Sequence, residues 1–458
     1  MIFTQYYLDC LSHASYLVGD QDAGVAAVVD PRRDIAEYLA DAEAAGVEIR
    51  YVIETHIHAD FLSGHLEMAD ATGAEIIYGE AAETEFPIRK VADGERISLG
   101  DVTLEFRATP GHTPESISVV VYEHAADEAP YGVLTGDTLF IGDVGRPDLL
   151  SSIGHSADDL AGQLYDSLHN RVLTLPDETR VFPAHGAGSA CGKNLSTETS
   201  STLGEQRQSN YALAPMTKER FIELVTEGQP AAPAYFLFDA TTNKSAHDLM
   251  DTDPPVQLDL DGVLEAQANG AAVVDVRPAA DFAQGHLAGS LNVALDGRYA
   301  EYAGTVVEPH RDIVLIADAG QGAEAQLRLG RIGFDRVLGV LEGPEAAFVT
   351  RPEVTRRASR LTAAAFDAVR ADNDEVQVLD VRNPGETQLG LIPGATVIPL
   401  AQLRDRLDEL DLGRPIVVHC AGGYRSSLGA SWLRAEGAAD VSDLLGGYDA
   451  WALQHASA

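Results

Sequence analysis

The chain predicts an α/β protein in which short buried strands carry functional loops at their ends. Two patterns in its 458 residues lead there. In the first half, brief β-rich apolar runs alternate with polar or Gly/Pro loops. In the second half, one strand–helix unit is written twice, at a spacing that suits small parallel α/β domains.

The first half runs to about residue 245. A-A-V-V-D-P (26–31) reads as a strand ending in a loop, and D-I-A-E-Y-L-A-D-A-E-A-A-G as the helix after it. Then come Y-V-I-E-T-H, E-I-I-Y-G, V-T-L-E-F, I-S-V-V-V-Y, G-V-L-T-G-D and R-V-F-P-A-H. Each is a short run of β formers closed by turn residues. His56, His112, Asp137 and His185 stand at those strand ends. Loops held by rigid strands are a common platform for active sites.

The repeat is visible by internal alignment. V-V-D-V-R-P (273–278) matches V-L-D-V-R-N (378–383), and H-L-A-G-S-L-N-V (286–293) matches L-I-P-G-A-T-V-I (391–398). I-V-L-I-A (313–317) matches I-V-V-H-C (416–420), after which residues 318–348 pair without a gap with 421–451. Three domains are expected, 1–245, 256–350 and 360–458, joined by linkers at D-T-D-P-P (251–255) and at 351–360.

Composition bounds the setting. A 45% hydrophobic fraction is ample for real cores. No run of 18 apolar residues occurs, so no spanning helix is expected. The start, M-I-F-T-Q-Y-Y, lacks a signal-peptide pattern, and a cytoplasmic protein is expected. Three cysteines, Cys10, Cys191 and Cys420, are too few for a disulfide framework and point to thiol chemistry. The net charge is -39, with only four lysines. Such a surface repels nucleic acid and anionic membranes. Acids spread along a lysine-poor chain resemble the proteins of salt-accumulating halophiles.

Four loops carry metal-binding residues: T-H-I-H-A-D, G-H-T-P, T-G-D-T and P-A-H-G, in that order. The series resembles the metallo-β-lactamase fold, which implies an αββα sandwich. In hydrolytic members two zinc ions share the pocket. Here Phe61 stands where the second ion would find a histidine, and a phenyl ring cannot ligate. One metal held by two histidines and a carboxylate is the arrangement of non-haem iron(II) oxygenases. The persulfide dioxygenase branch of the fold implies His56, His112 and Asp137 as ligands of a single Fe(II). His58, Asp60 and His185 then orient ligands or hold a weak second ion. G-R-P-D-L (145–149) and P-A-H-G-A-G-S-A-C-G-K-N-L (183–195) resemble the same branch. Arg146 can anchor an anionic substrate or be structural, and Cys191 can border the pocket or simply pack.

C-A-G-G-Y-R-S-S (420–427) lies between an apolar strand and a helix-like stretch. A cysteine there meets inward backbone N–H groups and a helix N-terminus, which favour a thiolate or a persulfide. Arg425 adds a positive charge. The spacing resembles the rhodanese loop; a cysteine phosphatase loop also runs from Cys to Arg but is typically one residue longer. The middle copy has Ala317 and Gly322 in place of Cys420 and Arg425, so it is expected to be catalytically inactive.

The whole resembles persulfide dioxygenase–rhodanese fusion proteins. The resemblance implies a metallo-β-lactamase αββα sandwich followed by two rhodanese-like α/β domains. It implies oxidation of a low-molecular-weight thiol persulfide by O₂ to thiol and sulfite, with sulfur transfer through Cys420 between sulfite and thiosulfate. The implied role is sulfide detoxification. A zinc-dependent, glyoxalase II-like thioester hydrolase is the alternative. A homo-oligomer is compatible with the sequence.

Overall fold

In the computed structural model, residues 1–456 are described. Strands β1 (Ile2–Leu8), β2 (His13–Asp20), β3 (Val25–Val29), β4 (Glu48–Ile53), β5 (Glu75–Gly79) and β6 (Arg89–Val91) form one six-stranded sheet in chain order. The β1–β2–β3 part is antiparallel and β3 to β6 run parallel. Strands β7 (Arg96–Ser98), β8 (Thr103–Ala108), β9 (Ile117–Tyr122), β10 (Gly132–Gly136), β11 (Arg180–Pro183) and β12 (Ser201–Thr202) form a second such sheet.

Side-chain alternation builds the layers. Along β2, Ala14, Tyr16 and Val18 join one core with Leu104, Phe106, Val119 and Leu134 of the other sheet. The two sheets therefore pack face to face. Leu17, Val28 and Val52 point the other way, onto the helices Ala36–Ala45 and His65–Thr72. On the far side Val120, Val133 and Val181 meet the helices Ala157–Ser167 and Lys218–Thr226. The result is the expected αββα sandwich.

The second half contains two parallel sheets with the same strand order. One runs Leu291–Asn292, Ala272–Asp275, Ile313–Ala317, Val337–Glu342. Its twin runs Thr396–Val397, Gln377–Asp380, Ile416–His419, Val441–Leu444, with Ser359–Leu361 added at the edge. The strands match the internal alignment one for one.

By contact density the chain divides into two units, Met1–Ala232 with Phe236–Met250, and Pro233–Tyr235 with Asp251–Ala458. The two repeats share the second unit. The stretch 351–360, expected as a linker, is partly built into sheets. Thr355–Arg356 pairs with His286–Leu287 of the first repeat, and Ser359 begins the edge strand of the second. No helix among the described residues is long and apolar enough to cross a membrane.

Candidate functional site

Four loops at one end of the sandwich converge. His56 follows β4, His112 lies between β8 and β9, Asp137 follows β10 and His185 follows β11. Gly136 has φ 52°, and a Cβ there would lie 2.6 Å from Thr55 Oγ1. Glycine is what lets the Asp137 loop close on the His56 loop.

The Nε2 atoms of His56 and His112 lie 3.8 and 3.5 Å from Asp137 Oδ2. His56 Nε2 and Asp137 Oδ2 are buried and have no hydrogen-bond partner. Buried polar atoms are rarely left so, and this pair points at a shared ligand. The far sides of both rings are engaged. His112 Nδ1 donates to the Arg146 carbonyl at 2.8 Å. Thr55 Oγ1 donates to Asp30 Oδ2 at 2.8 Å, so His56 Nδ1, 2.9 Å away, donates to Thr55. Both rings thus present a bare Nε2 to one point. Burial, followed by repulsion from His58 and His112, pushes the pKa of His56 well down and keeps the ring neutral, as ligation requires. Two imidazole nitrogens and one carboxylate oxygen fit a divalent transition metal with open positions.

The other half of the pocket is differently arranged. His185 is bracketed by carboxylates, with Nδ1 2.7 Å from Asp137 Oδ1 and Nε2 2.8 Å from Asp60 Oδ2. Burial opposes its charge, but Asp137 and Asp60 win and raise its pKa well above the usual value. For Asp60 burial acts upward, and His185 and His58 hold the carboxyl below its ordinary range. His58 Nε2 sits 3.1 Å from Asp30 Oδ1 and 3.5 Å from Glu54 Oε2. Burial disfavours its charge, yet those two acids raise its pKa to about 10. Ligand atoms of His58, Asp60 and His185 do come within 4.8 Å of one another. The fully buried Phe61 ring packs on His58, at 4.4 Å between centroids. Asn243 fixes this loop, donating to the carbonyls of His58 and Phe61 at 2.8 and 2.9 Å.

In the last repeat, Cys420 directly follows the strand Ile416–His419, and the helix Tyr424–Ala435 starts four residues after it. Gly423 at the helix start has φ 106°, and its N–H points at Cys420 Sγ from 3.1 Å. Arg425 makes two bonds to Glu386, at 2.7 and 2.5 Å. Burial acts to raise the Glu386 pKa, but Arg425 brings it below the normal carboxylate value. The twin loop is plugged. The N–H of Gly322, at the position of Arg425, donates to Glu342 Oε1 at 2.9 Å. A side-chain carboxylate is thus the acceptor for the helix start there.

Comparison with known proteins agrees with both geometries. The metallo-beta-lactamase superfamily profile matches residues 8–185, and the rhodanese-like domain profile matches 259–346 and 362–454. A crystal structure of a metallo-beta-lactamase from Staphylococcus aureus subsp. aureus COL superposes with a TM-score of 0.70 at 33% identity. It covers 74% of this chain and 99% of that one. The chain belongs to the metallo-β-lactamase superfamily. It joins that fold to two rhodanese-like domains. Its first half is 29% identical over 213 residues to the mitochondrial persulfide dioxygenase ETHE1 of Homo sapiens, covering 46% of this chain and 75% of that protein. It is 36% identical over 173 residues to a hydroxyacylglutathione hydrolase of Rhodospirillum rubrum, covering 37% and 60%.

Within the metallo-β-lactamase unit, two residues that the sequence left open now have places. The Arg146 guanidinium is buried and occupied, donating to both Asp148 oxygens at 2.8 and 2.7 Å and to the Ala190 carbonyl at 3.0 Å. Cys191 is buried with its sulfur within 4.8 Å of ligand atoms of Asp137 and His185. Burial, then Asp60 and Asp137, push its thiol well up, so it stays protonated.

Sequence reasoning passed over His13. Its buried ring lies 4.1 Å from Phe61 and 5.6 Å from His185, because Ala14 N–H bonds the Ala184 carbonyl and draws the start of β2 against the His185 loop. Burial, then His185 and His58, lower its pKa well below the usual value. Asp30 was also passed over, though its position at the end of A-A-V-V-D-P marked it as a strand-end acid.

Proposed function

We propose that the metallo-β-lactamase unit is a persulfide dioxygenase with one Fe(II) held by His56, His112 and Asp137. The observation that carries this is the orphaned pair His56 Nε2 and Asp137 Oδ2, set opposite a half-pocket filled by Phe61. Bound there, Fe(II) supplies open positions that bring a persulfide sulfur and O₂ together and activate them. The overall conversion is persulfide plus O₂ plus water to thiol plus sulfite. The chain's own part is to aim the ligands. Thr55 with Asp30, and the Arg146 carbonyl, fix the two ring orientations. His185 holds Asp137 Oδ1 and leaves Oδ2 for the metal. A thioester hydrolase using two zinc ions needs a further ligand where Phe61 stands.

The last rhodanese-like domain transfers sulfur through Cys420 in this reading. The thiolate attacks the sulfane sulfur of thiosulfate, the S–S bond breaks, and sulfite leaves with the bonding pair. Cys420 is left as a persulfide, and sulfite or another thiolate can take the sulfur back. Sulfite is thus common to both sites, and fusion keeps it at high local concentration. The domain limits 1–245, 256–350 and 360–458, a cytoplasmic, high-salt setting and a role in sulfide detoxification complete the proposal.

The test is substitution at the ligands. His112→Ala and Asp137→Ala should each lose iron and persulfide-dependent O₂ uptake while retaining sulfur transfer at Cys420. Retention of iron and O₂ uptake by either variant would refute the assignment.

A further inference from the structure

The inactive rhodanese repeat keeps its fold although its loop holds neither Cys nor Arg and is plugged by Glu342. Its contacts with the active repeat, inside the same compact unit, are polar and specific. Asn292, 2% exposed, lies at the end of the strand Leu291–Asn292. Its Nδ2 donates to the carbonyls of Asp275 and Arg277 at 3.2 and 2.9 Å, which fixes the amide in its own repeat. Its Oδ1 then faces outward and accepts from Ser427 Oγ at 2.8 Å. Its backbone N–H donates to Ser431 Oγ at 2.9 Å. Ser427 and Ser431 lie one turn apart on the helix that begins at the Cys420 loop.

A further contact lies in the loop itself. Tyr424, between Gly423 and Arg425, donates its hydroxyl to the Ala294 carbonyl, and its ring lies 5.1 Å from that of Tyr302 in the inactive repeat. Burial raises the pKa of Tyr302, and Arg425 and Cys420 are among the charges that act on it. The two repeats differ where they clasp. The internal alignment places Val397 opposite Asn292, and Glu324 and Arg328 opposite Ser427 and Ser431. The bracket is written into one copy and its hydroxyl partners into the other.

We propose that Asn292 of the inactive repeat is a positioning residue for sulfur transfer: through Ser427 it holds the first turn of the helix at whose start the Gly423 N–H points at Cys420 Sγ. The sulfur-bearing loop is glycine-rich, with Ala421, Gly422 and Gly423 in succession. Such a stretch has much conformational freedom to lose. The clasp removes that freedom from outside, and Arg425 is held from the other side by Glu386. The inactive copy is therefore retained as part of the active site's support, beyond any role as a spacer. The proposal rests on the reading that Cys420 transfers sulfur.

The experiment uses the full-length protein in molar KCl and compares wild type, Asn292→Ala, Ser427→Ala, Ser427→Thr and the double alanine variant. Thiosulfate-dependent sulfur transfer gives kcat and KM, and hydrogen exchange gives local opening at residues 422–427. A hydrogen bond of about 1 kcal/mol corresponds to about a fivefold change. Each single alanine variant should lower kcat about fivefold or more and speed exchange in that segment. The double variant should be no worse than Asn292→Ala alone, since Ser427→Ala removes only a bond that Asn292→Ala has already removed. Ser427→Thr keeps the hydroxyl and should restore kcat to within about twofold. Additive losses, no rescue by threonine, or an unchanged kcat would overturn the proposal. If the wild type transfers no sulfur, the Cys420 reading fails. Exchange still decides the clasp, and unchanged protection at 422–427 would then sink it too.

Discussion

His185 donates its Nδ1 proton to Asp137 Oδ1 across 2.7 Å, which leaves the other oxygen of Asp137 facing His56 and His112. One carboxylate thus divides the pocket. On one side ligand atoms of His56, His112 and Asp137 lie within 4.8 Å of one another; on the other, a histidine lies between two acids, and the Phe61 ring packs on His58.

Restoring a ligand to that wall should restore a second site. In Phe61→His the imidazole replaces a buried phenyl ring beside His58, near His13 and the His185 loop. Zinc titration by calorimetry should show a second binding event that the wild type lacks. A single event in both proteins would mean that Phe61 does not set the metal count.

The charge of His58 predicts an alkaline limit for the metal-free protein. Its folded pKa of about 10 exceeds the 6.5 of an unperturbed histidine. The stabilisation is therefore complete below pH 6.5 and is lost as pH rises through about 10. Chemical denaturation at pH 6.5, 8 and 10 should show falling stability in the wild type and a much flatter trend in His58→Gln. Parallel trends in the two proteins would remove His58 as the source.

Salt should act strongly. With a net charge of -39, like charges repel across the surface at low ionic strength. Molar KCl shortens the screening length to about 3 Å and relieves this. Melting temperature and both activities should rise steeply from low salt to molar KCl. A flat melting temperature across that range would discard the halophile reading.

Cys420→Ser tests whether the two chemistries are joined. A hydroxyl cannot carry a sulfane sulfur at neutral pH, so sulfur transfer should vanish. No proposed iron ligand changes, so persulfide-dependent O₂ uptake should persist. At matched O₂ consumption the product should move from thiosulfate toward free sulfite. An unchanged ratio would mean that sulfite is not handed on.

The strand-end residues were legible because strands of four to six residues, closed by turns, announce where loops begin. His56, His112, Asp137 and His185 were all found in that way, and the twin sheets followed from alignment of the chain with itself. The β1–β2 hairpin was not read, since β2 is buried along its whole length, so burial does not alternate with solvent exposure along it. His13 was passed over with it. The engagement of Arg146 by Asp148, and of Arg425 by Glu386, depends on how side chains turn after the backbone is placed. The Asn292 clasp is a contact between two copies that differ just there, and similarity between repeats conceals such a feature.

The central claim is one iron that turns O₂ and a persulfide into sulfite. The most direct measurement is metal content together with product analysis on the full-length chain in molar KCl, using glutathione persulfide as the substrate. Three ligands around one point should hold about one iron per chain, and one sulfur should be oxidised for each O₂ consumed. Two tightly bound zinc ions with thioester cleavage in the absence of oxygen would contradict it.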